Sequence, residues 1–597
     1  MAARRLAVCL AFIAETFRKG RMPHHAKSLF AAALAVAMLA VQACAGEAAS
    51  SDSALAPGKE AGLEMRYQVL DELEWVYEDT KVDPAGAKSA SLSGCRGSRP
   101  GFQVVIEGLA RGARPVVAVS GGGRAALPAP EVFALHAVPV EENSGWTGFT
   151  KWEPQMEAQV TRRAPFRVFD VVRPVDSPPI REEKLTVLLI QFPVALKASP
   201  GRKSGTVSIT AGKDAAAIPV TLEVYAATLP ERGTLKVTNW FSASNMATRH
   251  GLTPWSEEHW RMIEKYGRLM RRNRQNVFWL THDFFGVEKV GASRWRFDFS
   301  KAVRLIKLYK GLGFEYIEGP HLGGAKEWGA AEILISFDRT LRPSSPEGYA
   351  LLAQFLTEWR KLLKAHKWVD TYIQHLSDEP VEASRADYET LAAIVRKHFP
   401  EARIIDAVEF PNLAAGLDIW VPKNHDYDAN MSVYDAYRAF GDEIWFYTCC
   451  VPGGPYMNRF LDFHLLRTRY LHWGNYLYDL PGYLHWGMNH YQSSQNPFEQ
   501  SVVGHTGGTK LPAGDTHIVY PGTDGPWSSM RFEMMRAGIE DYELFKLAEA
   551  RVGRERAMEI LNECVQSFKS FSEDVPKFRA TYRELLEAAS AKPRKSK

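Results

Sequence analysis

The sequence predicts an α/β protein in which a (β/α)8, TIM-like barrel follows an all-β sandwich domain and is itself followed by a C-terminal helical tail. Three observations carry that expectation. From about residue 63 to residue 230, short β-rich runs are separated by Gly, Pro and Ser without helical periodicity. After Leu229-Pro230-Glu231-Arg232-Gly233, strand-length segments alternate with helix-length amphipathic ones, the pattern of βα units on a parallel sheet. Eight such strands occur, the number that closes a barrel.

Taken in order, residues 1–45 read as a signal peptide. Six Lys/Arg (Arg4, Arg5, Arg18, Lys19, Arg21, Lys27) stand against the single acid Glu15, an apolar run spans Leu29 to Val41, and small residues follow. Translation starting at Met22 would give a leader of ordinary length. Val41-Gln42-Ala43-Cys44 resembles a lipobox, with acylation of Cys44, although Gln42 is unusual there and Ala43-Cys44-Ala45 also suits plain cleavage. The expectation is export to the periplasm or cell surface, with or without a lipid anchor. Residues 46–62 are small and polar and serve as a tether.

The sandwich domain, residues 63–230, contains the runs Phe102 to Ile106, Pro115 to Ser120, Phe133 to Val138, Phe166 to Val172, Leu185 to Phe192, Thr206 to Thr210 and Ile218 to Val224. The barrel, 231–550, has strands at Leu235 to Phe241, Asn276 to Leu280, Tyr316 to Pro320, Thr371 to Ser377, Arg403 to Val408, Asp418 to Pro422, Glu443 to Thr448 and Gly482 to Trp486. Helices such as Glu257 to Arg272 and Tyr349 to Lys364 lie between them. Ser529 to Ala550, with Met and Leu on one face, and Arg556 to Ala589 are helical, the latter within the tail 551–597.

Composition excludes several classes. The formal charge of +4 comes from the leader: without it, 67 basic residues face 68 acidic ones. A near-neutral chain has no footprint for nucleic acid and no polybasic patch for a membrane surface. Past the leader no run reaches about 18 uninterrupted apolar residues, so no spanning helix is expected. Cys95, Cys449, Cys450 and Cys564 make no disulfide framework; Cys449 and Cys450 read better as small buried residues than as a strained bridge. No Cys/His cluster has zinc spacing, and neither metal nor cofactor is expected. Sixteen Trp and 22 Tyr exceed what a core of this size needs, which fits sugar binding.

In a barrel, reacting groups come from the C-terminal ends of the strands. The fourth strand runs Tyr372-Ile373-Gln374-His375-Leu376-Ser377 into Asp378-Glu379-Pro380, placing two adjacent acids at the mouth, with Pro380 biasing Glu379 toward extended backbone. Ser384-x-x-Asp387 then reads as a capping box. Neighbouring carboxylates project in different directions and cannot easily flank one bond, as the usual pairs about 5.5 Å or about 6.5 to 9.5 Å apart do. They suit substrate-assisted hydrolysis of a 2-acetamido sugar, in which the acetamido oxygen is the nucleophile, Glu379 protonates the leaving oxygen and Asp378 orients the amide.

At this point the sequence resembles glycoside hydrolase family 123, the exo-acting β-N-acetylgalactosaminidases. Three stretches carry the resemblance: Ser377-Asp378-Glu379-Pro380; the block from Gly514-Asp515-Thr516-His517 through Ser529-Met530-Arg531-Phe532-Glu533 to Asp541-Tyr542-Glu543; and the Gly205-Thr206-Val207-Ser208-Ile209 and Ile218-Pro219-Val220-Thr221-Leu222-Glu223-Val224 strands with Leu229-Pro230. The resemblance covers about residues 65 to 550. It implies retaining hydrolysis of terminal β-linked N-acetylgalactosamine through an oxazolinium intermediate, with Glu379 as general acid/base, Asp378 holding the acetamido group and Trp486 as an aromatic floor.

Asn489, Tyr447 and Tyr456 are further candidates for the sugar, as are Asn239, His282 and His321 at the first, second and third strand ends. The substrate expected is a glycan or glycoconjugate with a terminal 2-acetamido sugar. Three alternatives stand beside this reading: a β-N-acetylglucosaminidase or other exo-glycosidase; a hydrolase using Asp283, Glu318 or Asp426 opposite Glu379; and a non-catalytic surface glycan-binding lipoprotein.

Overall fold

A computed structural model describes residues 65–109, 114–327, 329–412 and 416–592. The leader, Cys44 and the tether lie outside the described residues. Of the chain's two compact units only Leu63–Lys597 is described.

The first part of that unit is built from two sheets around a common core. One has seven strands, in the order Arg66–Asp71, Gly101–Glu107, Leu185–Gln191, Glu131–Val140, Phe166–Pro174, Pro526–Ser529, Tyr520–Pro521. The other has four: Ala90–Arg96, Asp214–Thr228, Gly201–Ala211, Val116–Ser120. Burial alternates along Asp214–Thr228, so Ile218, Val220, Leu222 and Val224 enter one core with Phe102, Val104, Ile106, Leu188 and Ile190 of the larger sheet. All seven expected runs are strands. Arg66–Asp71 and Ala90–Arg96 were not expected, because polar residues and glycine dilute their β signal. The seven-stranded sheet takes its last two strands from beyond residue 500, with Ser528 opposite Val172 and Ser529 opposite Val171, so it is not confined to residues before 231.

All eight later strands are present: Lys236–Asn239, Val277–Trp279, Tyr316–Glu318, Tyr372–His375, Arg403–Val408, Ile419–Pro422, Glu443–Ile444 continuing as Phe446–Tyr447, and Gly482–His485. Every backbone pairing among them is parallel. They form a six-stranded sheet from the second strand to the first half of the seventh, and a three-stranded sheet in the order first, eighth, second half of the seventh. No single closed sheet results. Trp445 interrupts the seventh strand, its Nε1 donating to Glu443 2.6 Å away. Between the first and second strands side chains replace the backbone ladder. Asn276 accepts from Val237 N–H (2.9 Å) and donates to Leu235 C=O (3.0 Å), and Gln275 donates to Asn239 C=O (3.2 Å). Seven of the strands, and Trp240 just past the end of the first, nevertheless contribute to one interior cluster, from Trp240 and Val277 through Tyr316, Ile373, Ile405 and Val421 to Tyr447 and Leu484.

Glu257–Arg272 forms the helix expected, and Pro346–Ala365 contains the other. Two expectations change. Arg556 to Ala589 is two helices, Arg554–Cys564 and Val575–Ser590, parted by a small hairpin, because Asp574 caps the second through Lys577 N–H (2.7 Å). Met530–Val552 is not a one-faced helix: charged residues are buried with the apolar ones. Among the described residues no helix is long and apolar enough to cross a membrane. The four cysteines past the leader are free thiols.

Candidate active site

Asp406, buried beside the fourth strand, shapes the turn that carries the acids. Its Oδ2 accepts from Leu376 N–H (3.3 Å), Ser377 N–H (3.0 Å) and the Tyr388 hydroxyl (2.8 Å). Its Oδ1 faces His375 Nδ1 at 2.8 Å, and His375 Nε2 faces Glu318 Oε1 at 2.6 Å. Glu318 also accepts from Thr238 and Trp240 Nε1, each at 2.7 Å. Burial opposes a charge on His375, but the hydrogen bonds it donates to both carboxylates outweigh it and lift the imidazolium to about 10. His321 adds a third donor near this group, its ligand atom within 4.8 Å of those of His375 and Asp406. Both His375 nitrogens are already hydrogen-bonded, which leaves no free trio for an ion.

Above this buried relay, Glu379 has φ of 43°, in the left-handed region rather than the extended one that Pro380 favours. The correction has a tertiary cause. Glu379 Oε1 accepts from the Tyr447 hydroxyl and faces Lys423 Nζ at 3.2 Å, and those contacts hold the backbone where no local preference would. Lys423 also reaches Glu409 Oε1 at 2.6 Å and lies 4.0 Å from Asp426. The expected capping box is absent too. Ser384 Oγ bonds the backbone of Val381, and Asp387 is turned away to Arg342 (2.9 Å) and Ile333 N–H (3.1 Å).

The acids are short of countercharge. Burial pushes Asp378 up to about 8, reinforced by the Glu379 and Asp406 charges and only partly offset by His375 and Lys423. Burial also raises Glu379, against the pull of Lys423 and the Tyr447 hydrogen bond. Such a pair keeps a proton at neutral pH.

Both acids line a cavity of about 550 Å³. Trp240, Tyr447, Leu484 and Trp486 form much of its wall, with Lys423, Glu409, His425 and Asp426 on the polar side. The Glu379 side chain is 8% exposed, whereas Phe410 is 44% exposed, so the cavity runs from buried carboxylates to an open mouth.

Of the residues proposed from sequence, Asp378, Glu379, Tyr447 and Trp486 meet here. Asp426, proposed as an opposing carboxylate, lines it too, whereas Asn239, Asn489, Tyr456, His282, His321, Asp283 and Glu318 do not. Asn239 is fully buried, donating to Gln275 (3.1 Å) and accepting from Arg459 (2.9 Å). It points away because successive strand residues face opposite sides, and its neighbour Trp240 takes the wall. Asn489 is buried and staples the Ser242 backbone, accepting from N–H at 2.8 Å and donating to C=O at 3.0 Å. Tyr456 turns its hydroxyl to Asp428, 3.1 Å away. His282 is exposed beside Asp283 at 3.2 Å. His321 packs behind the wall, its ring 5.0 Å from Trp240 and 4.7 Å from His375, and burial drives its pKa well below 6.5. Glu318, a possible partner for Glu379, is fully engaged by Thr238, Trp240 and His375. Lys423, Glu409, Phe149 and His505 were missed. Lys423 directly follows the sixth strand, so the rule that strand ends carry chemistry applies to it as fully as to Asp426. Phe149 and His505 come from distant loops and had no local signal.

A carboxylate pair with raised proton affinity, opening on an aromatic-walled cavity at the ends of parallel strands, has the geometry of an acid–base pair facing a ligand pocket. The family comparison names the class: the chain belongs to glycoside hydrolase family 123, whose catalytic-domain model matches residues 240–548. It is thus an enzyme that hydrolyses glycosides. Among solved structures, a family 123 glycoside hydrolase from Clostridium perfringens, described for glycolipid glycan hydrolysis, is 16% identical. The match covers 88% of this chain and 97% of that one with a TM-score of 0.63, which shows a shared fold. A bacterial Ig-like-domain GH10 xylanase from termite gut is 11% identical over 60% of this chain and 90% of that one, TM-score 0.33. A GH39 β-xylosidase from Caulobacter crescentus is 11% identical over 53% and 72%, TM-score 0.36. No curated protein matches the sequence.

Proposed function

We propose that the protein is an exo-acting, retaining β-N-acetylgalactosaminidase working by substrate-assisted catalysis, with the two parallel sheets forming a (β/α)8 barrel behind a β-sandwich. The observation that carries this reading is the adjacent pair Asp378–Glu379, both of raised pKa, at the closed end of one cavity. A terminal sugar fits a cavity closed at one end, which supports exo action. Tyr447 and Lys423 both address Glu379 Oε1, so the proton belongs on Oε2, from which it passes to the glycosidic oxygen as the C1–O bond breaks. The acetamido oxygen attacks C1 to give an oxazolinium ion, while Asp378 accepts the amide N–H and balances the new positive charge. Glu379, now ionised, takes a proton from the water that opens the ring, so configuration at C1 is retained. Trp486 forms the floor beneath the sugar. The leader supports export, with a lipid anchor at Cys44 as one form of it.

Release of 4-nitrophenol from the β-N-acetylgalactosaminide, the β-N-acetylglucosaminide and the plain β-galactoside tests the reading. Cleavage of acetamido sugars alone, abolished by Asp378→Asn, is the result expected. Cleavage of the plain galactoside would instead favour a second reading in which Glu409 or Asp426, on the same cavity wall, is the opposing carboxylate.

A further inference from the structure

We infer that the first, β-rich part of the chain supplies a leaving-group subsite to this pocket, with the ring of Phe149 as a stacking surface for the apolar face of the group that the sugar leaves behind. The inference rests on the reading of the Asp378–Glu379 cavity as the sugar site.

Phe149 lies in the segment between the strands Glu131–Val140 and Phe166–Pro174, far in sequence from either acid, yet it lines the same cavity. Its placement is built. Asp462 is buried and grips the segment: Oδ2 accepts from Ser144 N–H (2.7 Å) and Asn143 (3.1 Å), Oδ1 accepts from the Ser144 hydroxyl (2.6 Å), and its carbonyl accepts from Thr161 N–H (2.8 Å). Phe149 itself donates its N–H to Cys450 C=O (3.1 Å) and accepts from Gly145 N–H (2.7 Å). The approach is close enough that a Cβ on Gly148 would overlap the Cys450 carbonyl oxygen. Phe149 has φ of 53°, a conformation costly for a bulky residue and kept only where its surroundings over-determine it.

Packed against it is His505, its ring centroid 5.7 Å from that of Phe149. The His505 loop is tied to the same segment: Glu141 accepts from Ser501 N–H (2.9 Å), the Ser501 hydroxyl (2.6 Å) and Val502 N–H (3.2 Å), and Lys510 pairs with Glu142. Two distant insertions are thus locked together into one wall. That wall belongs to the open side of the cavity, since His505 is exposed and Glu379 is nearly covered. A terminal sugar at the acids directs its C1 substituent toward that side. Rings there offer a face for stacking, which tolerates different leaving sugars and needs no specific hydrogen bonds.

The test uses non-hydrolysable probes: phenyl and methyl 1-thio-β-N-acetylgalactosaminides, with the glucosaminide pair beside them, titrated calorimetrically into the full chain. In the wild type the phenyl probe should bind about tenfold more tightly than the methyl one. Phe149→Gly, which suits the positive φ, and His505→Ala should each shrink that ratio and leave methyl binding unchanged. Matched thermal unfolding of the variants shows that the wall is intact. Should both probes bind with a ratio that neither substitution moves, the subsite falls while the sugar site stands. Should neither probe pair bind, the reading of the sugar site falls and takes the subsite with it.

Discussion

Two groups of desolvated carboxylates, one around Asp378 at the cavity and one around Glu533 in the core, differ in their partners and in every consequence. On the helix Met530–Val552, Glu533 meets Arg272 at 2.5 Å and Arg536 at 3.3 Å, Glu540 meets Arg536 at 2.9 Å and Arg274 at 3.0 Å, Asp541 meets Arg469 at 2.7 Å, and Arg531 meets Asp170 at 3.0 Å. Burial alone would raise Glu533, but the Arg272 and Arg536 charges hold it down at about 2. Asp378, less deeply buried than Glu533, is desolvated with only the His375 imidazolium and a shared lysine to offset it, and is pushed up to about 8. Charge balance, and not burial, separates a structural acid from one that exchanges protons.

Several measurements would break or sharpen that contrast. The largest effect belongs to activity: Glu379→Gln and Asp378→Asn should each lower kcat/KM by about 10²–10⁴-fold on an acetamido glycoside with a poor leaving group, without loss of fold. Conversely, Arg531→Met should cost about 3–5 kcal/mol in stability, read from urea unfolding, because Asp170 is left buried without its partner. An unchanged unfolding midpoint there would mean that the paired cluster does not hold the helix to the first sheet. Next comes pH. The Asp378–Glu379 pair keeps one proton that the unfolded chain would release, so stability falls as pH rises from about the ordinary 3.8 of Asp378 toward 8, and Asp378→Asn, which leaves a single carboxyl to hold it, should raise the melting temperature more at pH 8 than at pH 4.5. Glu533 has the opposite sign: its contribution is present above its ordinary 4.5 and is lost as pH falls toward 2, so Glu533→Gln should cost more at pH 7 than at pH 3. Melting curves of both variants at the four pH values check the pair. The smallest effect is that of Tyr447→Phe, which removes one donor to Glu379 Oε1 and should reduce kcat about tenfold while moving the alkaline limb of the kcat/KM profile.

The long C-terminal block shows how a strong sequence signal can be misassigned physically. Its Met and Leu residues read as one apolar stripe, yet Arg531, Glu533, Arg536, Glu540 and Asp541 are as buried as the methionines. Periodicity counts polar residues as solvent-facing, and only partners from other elements, Asp170, Arg272, Arg274 and Arg469, make their burial tolerable. The candidate site failed in the same direction. Asn239, Asn489, Tyr456 and His321 are polar or aromatic residues at or after strand ends, yet each is occupied in holding the scaffold.

Local pattern determined what depends on neighbours along the chain: all eight parallel strands, the helix at Glu257–Arg272, the seven β-rich runs, and Asp378-Glu379 at the end of the fourth strand. Periods of two and 3.6 residues, with Gly and Pro as punctuation, suffice for these. Tertiary structure alone decided the left-handed turn at Glu379, the proton affinity of the pair, the Asn276 and Gln275 side chains that bridge the first and second strands, and the Phe149 wall. Each arises between groups distant in sequence, through desolvation, charge and hydrogen bonds whose strength is set by position in space.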